Sequence, residues 1–158
     1  MAPAKHLLFV DDEDSMRFTL APILTKHGFE VTAVASVGEA LVQMDLTKYD
    51  VLISDLNIEK PGDGFAVVAS MQVRRPTCTN IILTAYPDFD TAQQAIRLSV
   101  ADYFVKPVNI EELISKIPKA GSHKSRSRGP LKSIGRKEAR DGERSQGSCY
   151  RAHRTSPQ

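Results

Sequence analysis

Five times in its first 118 residues the chain passes from a short apolar run into a helix-patterned segment, and this alternation restricts the fold more than any other feature. The runs are Leu7–Val10, Glu30–Val34, Val51–Ser54, Ile81–Thr84 and Tyr103–Val105. Three of them are nearly continuous in apolar content, as strands covered on both faces are. Strict alternation implies a parallel sheet with right-handed crossovers and helices on both faces. The expected fold is therefore α/β and doubly wound, with five strands and five helices. Ligands of such sheets sit at the carboxyl ends of the strands, near the point where strand order reverses.

The helical segments are amphipathic. The first is expected over 15–26, with Met16, Leu20, Ile23 and Leu24 inward, Asp14 as N-cap and Gly28 as stop. Pro22 lies inside it and removes a backbone donor, so a kink or local irregularity is expected. The second runs from Val37 to Asp45 behind Ser36, with Ala40, Leu41 and Met44 inward. The third covers Gly64–Arg74 with Phe65, Val68 and Met71 inward. The fourth covers Phe89–Leu98 and offers Ala92, Ala95, Ile96 and Leu98 for packing. The fifth starts near Ile110 and is stopped early by Pro118 and Gly121.

Composition narrows the class. A chain of 158 residues that is 41% apolar can build one core without staples. Cys78 and Cys149 match no CxxC spacing, which excludes a disulfide framework and a zinc ribbon. No apolar stretch approaches the length of a spanning helix, and Leu7–Val10 is too short for a secretory signal. A cytoplasmic protein without membrane contact is expected.

Charge divides the chain in two. Residues 1–118 carry 16 Asp and Glu against 10 Lys and Arg, whereas residues 119–158 carry 3 against 11. The expected organisation is an acidic domain over 1–118 and a basic tail over 119–158. The tail is rich in Gly, Ser and Arg and nearly devoid of large apolar residues, so it is expected to be disordered. Clustered Lys and Arg can displace counterions from nucleic-acid phosphates. A plain solvated extension explains the same composition, and no helix-turn-helix fits there.

The strand ends hold the chemistry. Strand one ends in Asp11-Asp12-Glu13-Asp14, strand three in Asp55, strand four in Thr84 and strand five in Lys106-Pro107. Helix capping accounts for Asp14 and Glu13, but not for two further acids. Asp11, Asp12 and Asp55 close together raise a pKa or recruit a cation, and a few oxygen ligands suit Mg²⁺. A carboxylate can also be the nucleophile that forms an aspartyl phosphate. Phosphoryl transfer needs its developing charge neutralised from several sides, and Lys106 and the Thr84 hydroxyl are placed to help. Pro107 holds Lys106 in extended backbone.

These residues resemble the receiver domain of two-component response regulators. The resemblance rests on LLFVDDEDSMR at 7–17, DVLISDLNIEKPGDG at 50–64 and ILTAYPDFDTAQQAIRLSVADYFVKP at 82–107. The last segment is most similar to receivers of the nitrogen-regulation type. The resemblance implies a CheY-like, flavodoxin-like sheet in the order 2-1-3-4-5. It implies Asp55 as phosphoacceptor, Asp12 as a direct Mg²⁺ ligand, Asp11 as a ligand through water, and Asn57 as a ligand through its carbonyl. Thr84 and Lys106 would bind the phosphoryl group, and Tyr103 would be the aromatic switch that follows Thr84. Asn57 and Tyr86 would flank the attacking water, and a bulky Tyr86 would slow dephosphorylation. The implied partners are a sensor histidine kinase or phosphotransfer protein and a downstream protein target. Such a receiver modifies itself and is not a turnover enzyme.

The chain departs from the family in places. The loop LNIEKPGDG lacks the usual Met-Pro, with Pro61-Gly62 in the turn role. The fifth helix is short. No output domain follows, so a stand-alone receiver is expected, with nucleic-acid regulation through the tail as the alternative. A haloacid-dehalogenase-type phosphatase would need an acid where Asn57 stands. A degenerate docking module would not need Asp12, Asp55, Thr84 and Lys106 intact. A dinucleotide fold would need glycines where the acids follow strand one.

Overall fold

The computed structural model describes residues 3–118. The expected basic tail at 119–158 lies outside the described residues. Five parallel strands, β1 (His6–Val10), β2 (Glu30–Val34), β3 (Val51–Asp55), β4 (Thr79–Thr84) and β5 (Asp102–Val105), form one sheet in the order β2-β1-β3-β4-β5. The helices α1 (Asp14–Lys26), α2 (Val37–Leu46), α3 (Asp63–Arg74), α4 (Phe89–Arg97) and α5 (Ile110–Lys116) connect and follow them. The doubly wound fold expected from the alternation is the fold observed.

Strand alternation sorts the core into two layers. Leu8, Val10, Leu52 and Ile82 face Ala40 and Met44 of α2, Phe65, Val68 and Met71 of α3, and Ala95 of α4. Leu7, Phe9, Val51, Ile53, Ile81 and Leu83 face Leu20 and Leu24 of α1 and Leu113 of α5. Central β3 is buried along its whole length, while edge strands β2 and β5 are buried only in part.

Helix ends follow side-chain chemistry. Ser36, Asp88 and Asn109 each accept the backbone N–H three residues on, which caps α2, α4 and α5. Gly28, at φ 97°, turns the chain after α1 and donates its N–H to Thr25. Two expectations need correction. Glu13, not Asp14, is the N-cap of α1, and its side chain caps nothing. Asp14 sits in the first turn and pairs with Arg17 instead. Helix α1 is assigned as one helix through Pro22, which is exposed. Ile96, expected to pack, is 71% exposed because Ala95 takes the inward face of α4. Among the described residues, no helix is long and apolar enough to cross a membrane.

Candidate functional site

Strand register builds the site. Val10 pairs with Ser54 and Thr84 with Val105. One residue beyond each pair, Asp11 comes beside Asp55, and Lys106 leaves the end of β5. Oxygen atoms of Asp11, Asp12 and Asp55 lie within 4.8 Å of one another. Asp11 is fully buried, Asp55 nearly so, and Asp12 faces solvent. Three carboxylates at that spacing, one open to solvent, fit a hard divalent cation that keeps part of its water shell.

Lys106 reaches over the acids. Its Nζ donates to Asp11 Oδ2 at 2.8 Å and to Glu13 Oε1 at 3.0 Å, and lies 3.4 Å from Asp55 Oδ2. Burial pulls the ammonium pKa down, but the bonds to Asp11 and Glu13 and the charges of Asp11 and Asp55 outweigh it and hold it above its ordinary value. Lys106 therefore stays charged. Burial, and then the Asp11 charge, push the Asp55 carboxyl up to about 6, against the pull of Lys106 and the Asn57 N–H. The Lys106–Pro107 peptide bond is cis.

The flanking loops place the other expected residues. Thr84 is fully buried in side chain, its Oγ1 accepts the Tyr86 N–H at 3.1 Å, and its carbonyl accepts the Lys106 N–H. Asn57 donates its N–H to Asp55 Oδ1, and its own Oδ1 accepts from Gly62 at 2.7 Å. Gly62, at φ 77°, makes the turn into α3, so Pro61-Gly62 does take the turn role. Tyr86 stands on the rim of a cleft of about 440 Å³ between the β3–α3 loop and α4, which Asn57 and Thr91 also line. Tyr86 is 78% exposed. Tyr103 is half-buried, with its hydroxyl 2.8 Å from Thr91 Oγ1.

Sequence reasoning missed several supports. Asp63 accepts the backbone N–H groups of Ile58, Glu59 and Lys60 and so braces the loop after Asp55 from inside α3. Its place one residue after Gly62, at a helix start, is the signal that could have found it. Arg17 Nη1 donates to the Asp11 carbonyl at 2.6 Å. Gly64 allows α3 to approach β3, because a Cβ there would lie 2.1 Å from the Asp55 carbonyl oxygen.

Residues 7–118 match the response regulator receiver domain. The chain is 36% identical over 115 residues to the DNA-binding transcriptional regulator NtrC of Klebsiella pneumoniae, which covers 72% of this chain and 24% of that protein. It is 33% identical over 115 residues to the photosynthetic apparatus regulatory protein RegA of Rhodobacter capsulatus, covering 72% and 61%. The chain thus spans about a quarter of the length of that NtrC relative. Among solved structures, chemotaxis protein CheY4 of Vibrio cholerae superposes with a TM-score of 0.64 at 31% identity, covering 71% of this chain and 94% of that one.

Proposed function

Because the chain belongs to the response regulator receiver domain family, we propose that it is a signalling switch that accepts a phosphoryl group on Asp55 in a Mg²⁺-dependent phosphorelay. One observation carries this reading: a buried carboxylate at the carboxyl end of the central strand, with a buried ammonium 3.4 Å away and two more carboxylates beside it.

The donor is a phosphohistidine on a sensor kinase or phosphotransfer protein, or a small acyl phosphate. An Asp55 oxygen forms a new P–O bond as the P–N or P–O bond to the donor breaks, and the imidazole or carboxylate leaves. Bound at Asp11, Asp12, Asp55 and the Asn57 carbonyl, Mg²⁺ would supply positive charge against the phosphoryl oxygens. Asp12 would be a direct ligand of the ion, and Asp11 would act through water. Lys106 moves from its carboxylate partners to a phosphoryl oxygen, and Thr84 donates its hydroxyl to another. Tyr103 follows Thr84, and a surface around α4 and β5 changes its affinity for a downstream protein. Water attack on phosphorus later breaks the Asp55 O–P bond, releasing inorganic phosphate and returning the carboxylate, with Asn57 and Tyr86 flanking its path. The protein acts on its own Asp55 and is no turnover catalyst.

We assign the receiver to 1–118 and a separate basic tail to 119–158. The tail's excess of Lys and Arg favours a second reading, nucleic-acid binding controlled by the receiver. Salt-dependent DNA binding lost on deletion of 119–158 would support it, and unchanged binding would refute it. The main reading is tested by intact mass after incubation with acetyl phosphate and Mg²⁺. One phosphoryl adduct is expected on the wild type, none on Asp55→Asn and none with chelator. A folded wild type that takes no adduct overturns the reading.

A further inference from the structure

Tyr103 is tied to α4 through a hydroxyl pair whose direction can be deduced. Thr91 Oγ1 lies 3.2 Å from the Asp88 carbonyl oxygen and 2.8 Å from the Tyr103 hydroxyl. A carbonyl only accepts, so the single Thr91 hydroxyl proton goes to Asp88. Tyr103 therefore donates its own proton to Thr91. The Thr91 backbone N–H is used separately, by the Asp88 carboxylate at 2.8 Å.

Helix α4 is thinly anchored otherwise. Of its nine residues only Ala95 is buried, while Phe89 and Ile96 project into solvent. Its far end is held where Gln72 donates to the Leu98 carbonyl. Among the described residues, the Thr91–Tyr103 bond is the one side-chain hydrogen bond from α4 itself to the sheet. In this arrangement the Thr84 Oγ1 is turned to the Tyr86 N–H.

We propose that Thr91 is a positioning residue for the switch: its hydroxyl holds Tyr103 on the first turn of α4 while Asp55 is unmodified. This rests on the phosphoacceptor reading above. When Thr84 turns to a phosphoryl oxygen and Tyr103 follows, the Tyr103–Thr91 bond breaks and the first turn of α4 loses its tie to β5. Thr91 thus sets the resting balance between the two states. It also links the exposed Tyr86 and Phe89 flanking that turn to events at Asp55.

Linkage makes this measurable. Whatever weakens the resting state strengthens binding of a phosphoryl mimic by the same factor. The probe is beryllofluoride with Mg²⁺, its Kd measured by calorimetry on the full chain. Thr91→Val keeps side-chain shape and the backbone cap but removes the hydroxyl. It should tighten binding about two- to tenfold, as loss of one hydrogen bond allows. Thr91→Ser should bind as the wild type does. In a Tyr103→Phe background, Thr91→Val should have no further effect.

A Thr91→Val Kd equal to or weaker than wild type overturns the latch. So does an equal tightening in the Tyr103→Phe background, which would place the effect in the helix start rather than in the hydroxyl pair. Wild-type protein that binds no beryllofluoride overturns the phosphoacceptor reading itself, and the latch with it.

Discussion

Lys106 bridges strands that do not touch: it leaves the end of β5, yet its Nζ lies 2.8 Å from Asp11 Oδ2 at the end of β1, with β3 and β4 between. The ammonium is the counter-charge to two buried carboxylates, Asp11 and Asp55. Removing one partner of a buried charge pair leaves the other uncompensated, at a cost of about 3 kcal/mol or more. Lys106→Met should therefore destabilise the chelated protein by about that amount in urea titrations. A divalent cation replaces part of the lost positive charge, so Mg²⁺ should stabilise the variant more than the wild type. Equal Mg²⁺ effects on the two proteins would contradict this role for the ammonium.

Asp55 makes stability fall as pH rises. Its carboxyl is pushed up to about 6 by burial first and by Asp11 second, against 3.8 in an unstructured chain. Between those values the folded chain binds the proton more tightly than the unfolded chain does. Stability is thus lost as pH climbs from about 4 through about 6, and levels off above. Asp55→Asn removes this dependence. In chelator at pH 7.5 it should be more stable than wild type by about 2–3 kcal/mol. The gap should close below pH 4. Denaturation at four or five pH values decides it, and a gap that widens in acid would be the wrong sign.

Asp12 is the exposed member of the acid trio and accepts no side-chain or backbone hydrogen bond among the described residues. Asp12→Ala should leave stability in chelator within about 0.5 kcal/mol of wild type. It should abolish most of the rise in Tm that Mg²⁺ gives the wild type. Thermal melts with and without Mg²⁺ separate a ligand from a bystander. An undiminished Mg²⁺ shift would remove Asp12 from the cation site.

The legible parts of this molecule are those governed by local pattern. Short apolar runs, three of them nearly continuous, marked all five strands, and the residue after each run marked where Asp11, Asp55 and Lys106 would stand. Ser36 and Gly28 advertised helix ends through local hydrogen bonding and positive φ. Contacts made only when distant segments meet were not legible. Nothing near Glu13 says that its carboxylate will reach Lys106, 93 residues on. The exposure of Ile96 was hidden because Ala95 and Ile96 are adjacent and the helix phase decides between them. Gly64 read only as the start of the third helix, whereas it serves a close approach of α3 to β3.

That approach gives a prediction with an internal control, since two helix glycines should respond to alanine with opposite signs. A Cβ on Gly64 would lie 2.1 Å from the Asp55 carbonyl oxygen and under 3.0 Å from backbone atoms of Leu56. These are main-chain atoms of the strand end that carries Asp55, so they cannot swing aside as a flexible side chain would. Helix α3 must shift instead. Its first turn includes Asp63, which holds three backbone N–H groups of the loop beyond Asp55. Gly64→Ala should cost about 1–3 kcal/mol by overpacking and should slow phosphorylation by acetyl phosphate more than the loss of stability explains. Gly38 lies in the first turn of α2 with nothing within 4 Å of a Cβ and no positive φ. There alanine only restricts the unfolded chain, and Gly38→Ala should stabilise by about 0.5–1 kcal/mol. Denaturation curves for both variants, with an acetyl phosphate time course at a temperature where each is folded, test the pair. A Gly64→Ala protein as stable and as fast as wild type would show that α3 can retreat without disturbing Asp55.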